Sequence, residues 1–324
     1  MTAAAAGLTV EGLSVEFRTR SGIVKALDRV SFAVAPGETI ALVGESGSGK
    51  SVTAYAIMRL LDDAGRITGG RALLGDVDLL AATPAELRRL RGSRIAMVFQ
   101  NPRSALNPIR SVGRQIGDVL MAHEKLTGRA AAAKAVELLR AVGITDPARR
   151  ANAYPFEMSG DMCQRVMIAI ALAARPAVLI ADEPTTGLDV TTQAVIMDLI
   201  GELSRSIGMA TVFITHDLAL AAERARRIVV MHAGHVVESA PVESLFAKPR
   251  HPYTAELVAA TPASVGVLDD LASIPGSLPD LRRADLPACR YLDRCRRTQP
   301  ECAREITMVP PGAVHAFACR NPLP

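Results

Sequence analysis

Gly44-Glu45-Ser46-Gly47-Ser48-Gly49-Lys50-Ser51 is the stretch whose reading decides the fold. It meets the pattern G-x-x-x-x-G-K-[ST] at every fixed position. Before it, Thr39 to Val43 (TIALV) is a short apolar run of strand type. After it, Val52 to Leu61 (VTAYAIMRLL) reads as a helix. Strand, glycine loop and helix in that order aim backbone N–H groups and a helix N-terminus at phosphate oxygens. The glycines allow close backbone approach. Lys50 is placed to neutralise β- and γ-phosphates, and the Ser51 hydroxyl to ligate Mg²⁺. A chance glycine-rich turn would lack the flanking strand and helix.

Outward from this loop, residues 8–17 and 23–34 alternate apolar and polar, with the turn-like Thr19-Arg20-Ser21-Gly22 between them, so an antiparallel hairpin is expected ahead of the loop. Arg94 to Gln100 (RIAMVFQ), Ala177 to Asp182 (AVLIAD), Thr211 to Thr215 (TVFIT) and Ile228 to Met231 (IVVM) read as further strands. Residues from about 101 to 176 are helical in pattern. In Thr191 to Ile207 the apolar residues recur at helical spacing, with Gly208 as the expected C-terminal cap. Alternating strands and helices argue for an α/β fold with a mainly parallel sheet covered on both faces. Composition shifts near Pro241. From Pro262 onward lie nine of the twenty prolines and four of the five cysteines, so residues 241–324 are expected to form a small accessory domain poor in regular structure.

The bulk numbers exclude several classes. A chain of 324 residues, 49% hydrophobic and 22% charged, is globular and long enough for one α/β domain plus a smaller one. No apolar run reaches the roughly 18 residues a membrane-crossing helix needs. The N-terminus MTAAAAGLTV has neither the basic start nor the apolar core of a secretory signal, so a cytosolic location is expected. With no Trp, 3% aromatics and a net charge of +4, nucleic acid is not an expected partner.

A phosphate loop alone fits many nucleotide enzymes. The decisive companion is Val178-Leu179-Ile180-Ala181-Asp182-Glu183, where apolar residues lead to acids at the C-terminal end of a strand, the place where ligands bind in open α/β sheets. Asp182 can hold Mg²⁺, and Glu183 can act as general base on an attacking water. Asp182-Glu183-Pro184-Thr185-Thr186-Gly187-Leu188-Asp189 resembles the Walker B and D-loop of ABC ATPases. Ser159-Gly160-Asp161 through Gln164 resembles their signature motif, Gln100 their Q-loop and His216 their switch histidine, all in the family's order. The resemblance covers about residues 8–240. It implies an ATPase core with an antiparallel β subdomain, a mixed sheet and a helical subdomain at about 101–176. It also implies that Gln100 helps hold Mg²⁺ or the water, that His216 meets the γ-phosphate, and that Asp189 lies across a dimer interface. Phe17 is the candidate for stacking on adenine and equally a core residue of the first strand.

The resemblance extends further. Glu45–Lys50, Val98–Pro102, Ser104–Pro108, Gln164–Ala169, His251-Pro252-Tyr253-Thr254 and Ile274-Pro275-Gly276 all resemble the oligopeptide/dipeptide/nickel importer branch. That branch implies ATP hydrolysis on the cytoplasmic face of a membrane, a second ATPase subunit, two permease subunits and an external solute-binding protein. Cys289, Cys295, Cys302 and Cys319 are spaced C-x5-C-x6-C-x16-C. Four thiolates suit Zn²⁺ or an iron–sulfur cluster, free thiols stay open as a third reading, and the resemblance implies [4Fe–4S]. Two departures stand out. Asp161 replaces the glycine of Ser-Gly-Gly, and Cys163 stands where an Arg is usual. A carboxylate at Asp161 would bring a like charge towards a partner's triphosphate, which suggests an asymmetric heterodimer; an outward-turned, tolerated Asp161 is the other reading. The rival functions are a soluble ABC ATPase without transport and a protein that binds ATP without turnover.

Overall fold

The computed structural model describes residues 7–185, 187–261, 273–309 and 313–324. The first six residues, Thr186 of the acidic stretch, and Pro262, Pro310 and Pro311 of the proline-rich segment lie outside the described residues. In chain order the elements are β1 (Leu8–Thr19), β2 (Gly22–Val34), β3 (Thr39–Val43), α1 (Lys50–Ile57), β4 (Gly65–Leu74), β5 (Val77–Asp78), α2 (Pro84–Leu90), β6 (Ile95–Val98), α3 (Pro102–Ala105), α4 (Val112–Glu124) and α5 (Gly128–Ala141). There follow α6 (Pro147–Arg150), α7 (Gly160–Leu172), β7 (Val178–Asp182), α8 (Val190–Ile207), β8 (Ala210–Ile214), α9 (Leu218–Arg224), β9 (Arg227–His232), β10 (His235–Pro241), α10 (Val242–Ala247), α11 (Pro252–Ala259) and β11 (Ala316–Phe317). They fall into two compact units. One holds Val34–Glu38 and Ala82–Val212, the other Thr9–Ala33, Thr39–Ala81 and the described residues from Phe213 on.

The unit that carries the phosphate loop has two sheet portions. The first runs in the order β2-β1-β4-β5. β1 and β2 are the expected hairpin, joined through Arg20 and Ser21. Leu13 and Val15 of β1 and Val30 and Phe32 of β2 are buried at period two, the signature of a strand with one covered face. The second portion runs β11-β10-β9-β3. β3 pairs parallel with β9, Ile40 opposite Arg227 and Val43 opposite Val230. β9 and β10 form an antiparallel hairpin turned by Ala233 and Gly234.

In the other unit β6 and β7 pair parallel, Ile95 opposite Val178 and Val98 opposite Ala181. β8 follows beside β7, with Ala210 N–H donating to the Ala177 carbonyl at 2.8 Å. Every residue of β7 is buried, as expected of a strand covered on both faces. The helical segment packs α4 on α5 through buried Ile116 and Leu120 on one side and Ala131, Ala135 and Leu139 on the other. α8 starts at an Asp189 cap and stops at Gly208, which adopts φ 68° and donates to the Ser204 carbonyl.

The class is α/β with mixed sheets, as the sequence pattern predicts. Three differences have physical reasons. The helix expected over residues 52–61 ends at Ile57, because Arg59 turns to φ 52°. β4 escapes the strand pattern because Gly65, Gly69 and Gly70 interrupt its alternation. α2 is announced by Thr83-Pro84-Ala85-Glu86, a capping box in which Thr83 and Glu86 each bond the other's backbone N–H, and the periodicity of so short a helix is invisible. Beyond Pro241 the segment expected to be irregular carries α10 and α11, of six and eight residues. Among the described residues no helix is long and apolar enough to cross a membrane.

Candidate active site

In the second unit, β3 runs into the loop and α1 leaves it. Gly44 sits at φ 149°, and a Cβ there would lie 2.1 Å from the Met231 carbonyl oxygen. Gly49 caps α1 at φ 103°, and its Cβ would lie 2.7 Å from Leu27 Cδ2. Neither position accepts another residue without displacing the loop. No side chain caps α1 and no acid occupies its first turn, so its N-terminal N–H groups stay oriented for an anion. The Lys50 ammonium, 6% exposed, donates to the carbonyls of Gly44 at 2.7 Å and Glu45 at 3.0 Å, folded back along its own loop. Ser46 and Gly47 are exposed at the loop's turn, while the Ser48 hydroxyl is buried without a hydrogen-bond partner among the described residues. Ser51 is half-buried in the first turn of α1. The half-buried Phe17 ring lies against Gly65, whose Cβ would come within 2.9 Å of it. His216 is exposed between the end of β8 and Asp217, which caps α9.

In the first unit, Asp182 ends β7 fully buried, an uncommon place for a carboxylate. Glu183, the next residue, is half-buried and held at φ 46°. A non-glycine residue in that region costs on the order of 1–2 kcal/mol, and such strain clusters at functional positions. Gln100, just beyond β6, donates from Nε2 to Glu183 Oε2 at 3.2 Å. Two residues 83 apart in the chain, picked from separate motifs, are thus brought into direct contact by the parallel pairing of β6 and β7.

Ser159 caps α7, its hydroxyl accepting from Met162 N–H at 3.2 Å, and Gly160 is exposed at the helix start. Gln164 is buried and donates to the Pro184 carbonyl at 2.7 Å, which ties α7 to the segment after Glu183. Asp161 pairs with Arg165 of its own helix at 3.3 Å. Sequence reasoning missed Arg165. Its guanidinium also donates to the Gly143 carbonyl at 2.8 Å and to Thr192 Oγ1 at 2.7 Å. Thr192 in turn donates to both oxygens of Asp189, at 3.0 and 2.7 Å, and these bonds hold the Asp189 carboxyl below the usual carboxylate range. Asp161 and Asp189 are therefore wired together through Arg165, a link announced only by the i, i+4 spacing of Asp161 and Arg165. Cys163 points inward, fully buried, its thiol pushed up by burial.

Cys289, Cys295, Cys302 and Cys319 line one cavity of about 10 Å³, beside His251 and Tyr291. Burial, with the other three thiols close by, pushes Cys289 up to about 12, and burial raises Cys319 as well. The donor set suits a thiolate-bound metal. The thiols are not drawn to ligating distance, since among the described residues no group of three or more His, Cys, Asp or Glu side chains converges on a metal position.

Two family models match the chain: ABC transporter over residues 27–186, and the oligopeptide/dipeptide transporter C-terminal region over residues 237–302. The chain is 47% identical, over 98% of its own length and 95% of the relative's, to a putative peptide import ATP-binding protein of Brucella abortus (strain 2308). It is 47% identical to the dipeptide transport ATP-binding protein DppD of Escherichia coli (strain K12), over 90% of this chain and 91% of that one. Among solved structures it resembles the dimeric ATP-binding cassette MJ0796 in a post-hydrolysis state bound to ADP and Pi, with a TM-score of 0.67 and 28% identity over 72% of this chain and 98% of that one. With a phosphate loop, a strand-end Asp-Glu pair and a capped signature helix in one chain, and relatives matching from end to end, this chain belongs to the ATP-binding subunits of the oligopeptide/dipeptide ABC transporter family and is an ABC-type ATPase.

Proposed function

We propose that this chain powers the import of peptides or related solutes across a membrane, as one of two ATPase subunits that clamp ATP between them. The observation that carries this reading is 47% identity, over nearly the whole chain, to proteins named for peptide and dipeptide import. In this reading Gly44–Ser51 cradles the phosphates of ATP, with Lys50 on the β- and γ-phosphates. Ser51, Asp182 and Gln100 hold Mg²⁺. Glu183 takes a proton from the attacking water, His216 meets the γ-phosphate, and Phe17 flanks the adenine. The strained Glu183 backbone and its bond from Gln100 support that assignment. Glu183→Gln should leave ATP binding intact and abolish turnover of the complex. Hydrolysis at the wild-type rate would refute it.

Closure of the clamp would move two permease subunits on the cytoplasmic side, with an external binding protein delivering the solute. The helical segment supports a docking role. Ile109 and Phe156 are 82% and 75% exposed, and a groove of about 510 Å³ lined by small residues such as Gly117, Gly128 and Ala132 runs along α4 and α5. The division into an ATPase core over residues 1–240 and an accessory domain over 241–324 belongs to the same reading. So does a heterodimer in which this chain's signature, altered at Asp161, serves the weaker of two ATP sites.

The four cysteines would hold a [4Fe–4S] cluster, with Zn²⁺ the alternative. The grouping of all four cysteines around one cavity supports this reading, in which the bound cation would offset the charge of the thiolates. Iron, zinc and acid-labile sulfide analysis of anaerobically purified protein decides between them. Metal-free protein with four reactive thiols would sink both.

A further inference from the structure

We propose that Arg294 is a positioning residue for the phosphate loop, acting through Glu45, so that residues outside the ATPase core set how firmly the loop holds a triphosphate. The inference rests on the nucleotide reading of that loop.

Glu45, the second residue of the loop, is held at three points. Its N–H donates to the Tyr253 hydroxyl at 3.0 Å, and its carbonyl accepts from Lys50 at 3.0 Å. Its two carboxylate oxygens accept from the two terminal nitrogens of Arg294 at 2.7 and 2.8 Å. Such a fork fixes the direction of the carboxylate as well as its distance, which a lysine cannot do. The Arg294 side chain is 5% exposed, so the pair is shielded from the solvent that weakens surface pairs.

Arg294 is itself immobilised. Its Nε donates to the Pro275 carbonyl at 2.7 Å, and its guanidinium stands 5.5 Å from the centre of the Tyr291 ring. Tyr253 is fully buried, stacked on His232 with ring centres 4.6 Å apart. A methyl group on Gly47 would lie 3.0 Å from Leu278 Cδ1, so the same region also borders the exposed turn of the loop. Arg294 closes the helical turn Leu292–Arg294 directly before Cys295, so the cysteine cavity and the loop's clamp share one backbone segment.

The chemistry has two parts. The loop must present its N–H groups and Lys50 to phosphate oxygens, and Glu45 places a negative charge within that loop. Arg294 fixes the loop's shape and offsets the charge. Without it, an uncompensated carboxylate stays in the loop that must bind an anion.

The test uses the full chain in its assembled complex, with Arg294→Ala, Arg294→Lys, Glu45→Gln and the Ala/Gln double variant. Dissociation constants are measured for ATP, ADP and AMP, with KM and kcat for ATP. Lys50→Ala serves as control: wild-type protein that binds ATP no better than this variant would overturn the nucleotide reading of the loop, and this proposal with it. Arg294→Ala is expected to weaken ATP and ADP about tenfold while AMP, which offers the loop no β-phosphate, changes less than about twofold. KM should carry most of the change, and Arg294→Lys should recover part of it. In the Glu45→Gln background the Arg294 substitution should add less than about twofold, because its partner is already neutral. ATP binding at the wild-type level, an equal loss for ATP and AMP, or losses that simply multiply would overturn the proposal. If Arg294→Ala does not fold, the same cycle is run with Arg294→Lys, and the same three outcomes count against it.

Discussion

Replacing Asp161 by glycine sets a cost in folding against a gain in ATP binding. The cost is local. Asp161 pairs with Arg165 at 3.3 Å, the two side chains being 32% and 17% exposed, and a helical pair of this kind contributes about 0.5 kcal/mol. An acid in the first turn of α7 adds about 0.3–1 kcal/mol through the helix dipole, and glycine lowers helix propensity by about 0.3 kcal/mol relative to Asp, itself a poor helix former. Together these predict a loss of about 1–2 kcal/mol and a melting temperature lower by roughly 3–6 °C. In the proposed dimer the gain would come from removing a negative charge placed to face the partner's triphosphate. At about 4 Å two unit charges repel by about 1 kcal/mol in water and about 4 kcal/mol at intermediate dielectric. Arg165 offsets part of that charge, so the low end applies, or about fivefold in ATP affinity. The assay is ATPase rate against ATP concentration in the assembled complex, with a thermal melt of the same sample. The expected result is a KM about fivefold lower in a less stable protein. A lowered melting temperature with an unchanged KM would refute the reasoning, because it would mean that Arg165 already absorbs the charge.

Gly44→Ala should abolish ATP binding and lower stability by about 2–4 kcal/mol, since a Cβ at φ 149° would lie 2.1 Å from a β9 carbonyl that cannot retreat; retained ATP binding would contradict that geometry. Tyr253→Phe keeps the buried ring and removes only the acceptor for Glu45 N–H, so ATP affinity should fall by about fivefold, less than for Arg294→Ala, as read by the same titration. Burial holds His232 well below its ordinary value and His251 at about 3. Unfolded chains take up protons below about pH 6.5 that the folded protein refuses, so stability falls with falling pH, by up to about 1.4 kcal/mol per pH unit for each histidine. Urea midpoints that stay level between about pH 7 and about pH 5 would show that these histidines are not the acid-sensitive groups.

Much of the fold was legible because its signals are local. Gly44, Gly49 and Lys50 sit at fixed spacing between an apolar run and a helix, and β7 is apolar up to the acids that end it. The spacing in α8, closed by Gly208, is a helix with its own stop. What escaped was built from weak or mutual signals. The glycines of β4 hide its alternation, and α2 is too short to show a period. The four cysteines were expected together and do line one cavity, but their spacing says nothing about how closely the thiols approach.

The sequence by itself determined the chemistry on offer: a loop that leaves its N–H groups to a phosphate, acids at a strand end, a capped helix start. These are short-range consequences of residue type, since glycine geometry, capping and apolar periodicity act within a few residues. Only the tertiary structure decided which of these groups meet. Gln100 reaches Glu183 because two parallel strands pair in one register, and Arg294 reaches Glu45 across 249 residues because Tyr253, Tyr291 and Pro275 pack a rigid seat for it. Neither distance is written in any window of the chain, because each is the joint result of packing that involves elements far apart in sequence.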